Sequence, residues 1–173
     1  LAETYQEGVH QLSSTLSKYH PNKTAGDLTP YGDNFVLLLR AVVMKGGWDP
    51  ESFAHDWRNF WLESSRYCDG APRKTLLHLE DPSQDVSTSN DIAGASIALA
   101  LTGLIGNAGA DSVIEAVRER TSFAHHDPET MDTAEFFTRV ISYLRAGRSL
   151  TDALEDSAEA DYPVLDARTE LKK

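Results

Sequence analysis

Apolar residues recur every three or four positions in segment after segment of this chain, and nowhere do they alternate singly with polar ones over the length of a strand. That period excludes most sheet architectures, because a half-buried strand needs side chains that alternate between two faces. In FVLLLRAVVMKGG, Phe35, Leu38, Leu39, Val42 and Val43 fall on helical spacing, with Gly46 and Gly47 as a stop. In the next segment Asp49 is placed to cap, Pro50 takes the first helical position, and Phe53, Trp57, Phe60 and Trp61 form one aromatic face that reads as core. These two helices should pack antiparallel.

Further helices follow. A short one is expected over Pro72 to Leu79, then a polar connection without periodicity, EDPSQDVSTSN. Ser89 or Asn90 should open a buried helix through DIAGASIALALTGLIG, whose small residues allow close approach of its neighbours. Asp111 begins a helix with Val113, Ile114 and Val117, and Asp127 with Pro128 begins a long one with Phe136, Phe137, Val140, Ile141 and Leu144, ended by Gly147. Ser149 and Asp152 make a capping box for a last helix, limited by Pro163. The expected fold is all-α, a compact multi-helix orthogonal bundle in one domain spanning residues 1–173.

Composition narrows the function. Sixteen Lys plus Arg against 27 Asp plus Glu leave a net charge of −11, with no basic stripe, so nucleic acid is not an expected partner. The most apolar run, Ile92 to Gly106, is shorter than a bilayer span, and no membrane association is expected. Cys68 is the only cysteine, which excludes an intrachain disulfide and fits the cytoplasm or another reducing intracellular compartment. The chain opens on Leu1 rather than Met, and LAETYQEGVH has no charged region followed by an apolar core, so the real start of the gene product is expected to lie outside it.

Three stretches place polar groups at helix starts, where backbone N–H groups are free to meet a ligand: TPYGDN, STSNDIAGAS and FAHHDPET. Asp33, Asn90 and Asp127 are ordinary capping residue types, and capping alone accounts for any one of them. Asp33 has a second reading, as an oxygen ligand to Mg2+, with Asp27 and Thr29 nearby in sequence. His125 and His126 are adjacent, so one of them at most faces a given pocket; a histidine beside a helix N-terminus can hydrogen-bond a phosphate. His20 is a further polar candidate in a loop. There is no HExxH, CxxC, GxSxG or Walker loop.

The order of YHPNKTAGDLTPYGDNFVLLLRAV, FAHDWRNFW, RYCDGAPRKTL, STSNDIAGASIAL and TSFAHHDPETMDTAEFF followed by SYLRAGRSLTDAL resembles the ADP-ribosylglycohydrolase superfamily, and most of all its J1-crystallin branch. The resemblance runs from about Tyr19 to Ala158 and implies an all-helical fold. It implies removal of ADP-ribose from modified side chains or related compounds with a pair of Mg2+ ions, and so ADP-ribose or an ADP-ribosylated protein as partner. By resemblance, Asp33 matches the second aspartate of the family's Thr-Asp-Asp-Thr metal motif, while Tyr31, Gly32 and Asn34 depart from it. Asn90, with Ser89 beside it, takes the place of the asparagine that lies along ADP-ribose. His125 takes the place of the histidine that approaches the phosphates, and Asp91 replaces a small residue.

The family's Gly-Asp-Ala-Leu-Gly segment would precede Leu1, and its Gly-Gly-Asp-Thr-Asp motif should follow Leu150 to Ala160, where this chain reads DYPVLDARTELKK. The expectation is therefore a family chain incomplete at both ends, one completed by a partner chain, or a relative without the second half of the metal site. Two functions remain open at this point: an enzyme or binder of ADP-ribosyl groups, and a non-catalytic, crystallin-like structural or assembly protein.

Overall fold

The computed structural model describes residues 26–63 and 67–171. The expectations for His20 and the stretch YHPNKTA lie outside these. Helix α1 covers Pro30–Lys45. It begins earlier than the sequence pattern suggests, because Thr29 supplies a hydroxyl that accepts from Gly32 N at 3.4 Å and Pro30 supplies a preset φ. Asp33 is therefore not the cap; its own N–H already donates to Thr29 O at 2.8 Å inside the first turn. The helix ends where Gly46 adopts φ 72°, as the paired glycines suggested.

Helix α2, Pro50–Glu63, follows with Asp49 Oδ1 accepting from Ser52 N at 3.0 Å. Helix α3, Gly70–Glu80, is capped by Asp69. The expected single helix through DIAGASIALALTGLIG is instead three short pieces: α4 (Ile92–Ala95), a 3-10 turn (Ser96–Leu99) and α5 (Ala100–Leu104). Ser96 Oγ donates back to Ala93 O at 2.8 Å, a bond that competes with the helical ladder and bends the chain there. Its cap is Asp91, neither Ser89 nor Asn90. Helix α6 is Ala110–Ser122, with Asp111 in its first turn, and α7 is Pro128–Arg145, capped by Asp127 as expected. Helix α8, Leu150–Ala158, carries the Ser149 cap, and a last turn, α9, spans Ala167–Glu170.

Helix α6 packs along α7, α7 against α8, and α1 against α2. The main core joins Leu38, Phe53, Trp57, Trp61, Leu101, Val113 and Val117, so the aromatic face of α2 is interior packing. Phe35, Val43, Phe137 and Leu144, expected on apolar faces, are exposed, because the buried stripes of α1 and α7 are narrower than the apolar runs that contain them. A second cluster of Phe136, Val140, Ala153, Ala158, Tyr162 and Ala167 ties α7 to α8 and α9. Among the described residues no strand forms; the single β feature is an isolated antiparallel bridge between Thr88 and His125. The all-α expectation holds. No helix among the described residues is long and apolar enough to cross a membrane.

Candidate functional site

Four stretches far apart in sequence meet at one recess. Tyr31 and Asn34 come from the first turns of α1, Asp69 from the cap of α3, Asp91 and Gly94 from α4, and His125 from the segment before α7. Trp57, Ile97 and Arg120 complete the lining. The enclosed volume is about 20 Å3, room for roughly one water molecule. Anything larger has to lie across the mouth and send a single small group inward.

Local structure explains each placement. Tyr31 and Asn34 are three residues apart on a helix and share a face. Asn34 is buried and spoken for: its Oδ1 accepts from Trp57 Nε1 at 2.6 Å and its Nδ2 donates to Pro30 O at 2.9 Å, so it clamps α1 to α2. Tyr31 Oη donates to Asp91 Oδ2 at 2.9 Å, bridging two rims of the recess. Burial, then that bond to Asp91, push the phenol up to about 12. Asp91 Oδ1 accepts from Ala93 N at 3.1 Å, so one carboxylate both caps α4 and faces the recess. Asp69 is half-buried, and burial raises its carboxyl above the usual range.

His125 is 6% exposed, and its Nδ1 has no hydrogen-bond partner among the described residues. Burial, then the Arg120 charge, hold the imidazole down to about 4, against a smaller opposing pull from Asp91. It is neutral at physiological pH. The ring packs on Gly94: a Cβ added there would sit 2.6 Å from His125 Nε2 and 2.9 Å from Asp91 Oδ2. A glycine is needed at that point for the two chemical groups to come together. On the other side, His126 N donates to Ser87 O at 2.7 Å, next to the Thr88 bridge, and fixes the loop before Asp91 to the histidine segment.

The residues singled out from sequence divide. His125 lines the recess, whereas Asn90 is exposed outside it and Ser89 turns its Oγ toward Asp91 N at 3.3 Å. Asp33 is buried on α1 but is not part of the lining. Among the described residues no group of three or more His, Cys, Asp or Glu side chains is placed to hold a metal ion. Those residues alone therefore do not fit a pair of Mg2+ ions around Asp33.

Asp69 and Arg120 were not singled out from sequence, and Tyr31 and Asp91 were met there only as departures from the family's motifs. Asp91 was not expected as the cap, because Asn90 and Asp91 are equally good caps and only the backbone path decides between them. Arg120 did carry a signal, since it falls seven residues after Val113 on the buried stripe of α6, alongside Val117. A family model described as ADP-ribosylglycohydrolase matches residues 2–172. Neither the curated proteins nor the solved structures yield a match.

Proposed function

The chain belongs to the ADP-ribosylglycohydrolase family, and on that premise we propose that it binds an ADP-ribosyl group across the mouth of the recess. The observation that carries this reading is the convergence of TPYGDN, RYCDGAP, SNDIAGA and AHHDP on one small pocket with a few polar groups in its lining. A ribose offers hydroxyl donors, and Asp69 and Asp91 offer carboxylate oxygens to receive them. Neutral His125 offers one ring N–H and one acceptor to a phosphate or sugar oxygen. Ser89 and Asn90, on the turn just outside, would contact the part of the ligand that remains in solvent.

Hydrolysis of the ribosyl bond is the family's reaction, and a role for Asp33 and Mg2+ in it belongs to the same proposal. The metal would supply orientation of the ribose diol and of a water, and it would need oxygen ligands beyond the described residues. A second reading, a relative that keeps the fold without turnover, draws on the absence of a carboxylate cluster around Asp33 among those residues.

Calorimetric titration with ADP-ribose, with and without Mg2+, tests the binding. Saturable binding is expected, weakened at least tenfold in His125→Ala and in Gly94→Ala, whose new methyl group would displace the imidazole. No binding under either condition, or equal binding by the variants, rejects the assignment. A strengthening by Mg2+ that disappears in Asp33→Ala, together with release of ADP-ribose from a modified protein, would establish the enzymatic reading. Binding without release would favour the non-catalytic one.

A further inference from the structure

Arg120 is 3% exposed and has no carboxylate partner among the described residues; its Nε has no hydrogen bond at all. Its guanidinium carbon lies 4.7 Å from the centre of the Phe53 ring and 5.7 Å from that of Phe123. Cation–π attraction of this kind offsets part of the desolvation of a guanidinium and leaves its N–H groups unsatisfied. Buried arginines are ordinarily paired. This one lines the recess instead, as does His125, whose Nδ1 is also without a hydrogen-bond partner among the described residues.

We propose that Arg120 is an anion receptor: a phosphate or carboxylate group seats one oxygen in the recess against the Arg120 guanidinium and the His125 ring, leaving its other oxygens in the mouth beside Tyr31. The recess, large enough for one water, takes one oxygen atom. The rim carboxylates do not occupy that place. Asp91 is engaged by Tyr31 Oη and Ala93 N, and Asp69 by Ala71 N at 3.1 Å. A desolvated cation at the floor also acts on an oxygen in contact with it more strongly than partly solvated carboxylates act from the mouth. A ring N–H of neutral His125 would add a donor, and burial, then the neighbouring guanidinium, keep the ring from competing as a second cation. The inference needs no nucleotide: orthophosphate binding without ADP-ribose binding would leave it standing while removing the function proposed above.

The test is titration of the purified chain with inorganic phosphate, and separately with acetate, at constant ionic strength set by chloride. The Arg120 Nε–H resonance in a 15N-labelled sample is followed together with the melting temperature. The expected result is a saturable shift of that resonance and a rise in melting temperature with at least one of the two anions. The rise should be lost in Arg120→Met, with anion affinity at least tenfold lower. Arg120→Met should melt close to the unsubstituted chain in anion-free buffer, since an unbranched apolar side chain fits between Phe53 and Phe123 without a charge to desolvate. Response to phosphate alone assigns a tetrahedral oxyanion, and response to acetate alone a carboxylate. A resonance unmoved by both anions overturns the proposal, as does an Arg120→Met chain that melts far lower yet keeps the anion response. If Arg120→Met does not fold, the resonance in the unsubstituted chain decides alone.

Discussion

His125 concentrates several unusual conditions in one side chain. It is buried, close to a guanidinium, pressed on Gly94 and held neutral down to about pH 4. The linkage follows from the direction of the shift. The unfolded chain takes up this proton near the ordinary 6.5 and the folded one only near 4, so the contribution is intact above 6.5 and is lost as pH falls toward 4. The size is on the order of 3 kcal/mol. Asp69 acts in the opposite sense, since burial raises its carboxyl and acid then favours the folded form. Urea unfolding at pH 7 and pH 4.5 should therefore show a larger loss in the unsubstituted chain than in His125→Gln. An equal loss in both would clear His125 of the effect.

At the scale of elements, the first two helices are joined by Asn34. Its carboxamide accepts from Trp57 on α2 and donates to Pro30 one turn below, so it braces the start of one helix and positions the other. Asn34→Ala would leave the indole N–H buried without an acceptor, at a cost of about 2 kcal/mol. Trp57→Phe in that background should cost less than it does alone, a coupling that a double-mutant cycle in urea would read directly. Independent, additive losses would mean that the pair is incidental. These two helices also show what the sequence makes legible. Apolar spacing, Pro50 and the paired glycines located the helices and their ends to within a turn, because those signals are local. The start of α1 was placed too late because a capping aspartate and a buried one look alike until the backbone direction is known. Asn34 shows a role that no local signal announces, an acceptor for the indole of Trp57 on the neighbouring helix.

Over the whole molecule, a buried carboxylate holds the last described part of the chain to the rest. Asp132 is 1% exposed; its Oδ2 accepts from Val164 N at 2.7 Å and Leu165 N at 3.1 Å, and its Oδ1 pairs with Arg118 at 3.1 Å. Glu135 adds bonds to Arg118 at 2.8 Å and Arg139 at 2.7 Å. Asp132→Ala should cost about 3 kcal/mol by stranding two N–H groups and part of a charge network. Hydrogen exchange should then show residues 162–171 opening first, with the α1–α2 core retaining most of its protection. Uniform loss of protection would show that the two clusters unfold as one. The site was less legible than the fold at this scale. His125 was singled out through its motif, whereas Tyr31, Asp69, Asp91 and Arg120 gather only when segments far apart in the sequence are packed.

That gathering makes the recess a record of complete folding. Its walls come from α1, the cap of α3, α4 and the segment before α7, and the Thr88 bridge ties the last two of these together. No partly folded intermediate lacking one of those segments can present the whole lining. A ligand seated there would act as a fastener, binding only the finished structure and drawing the population toward it by mass action.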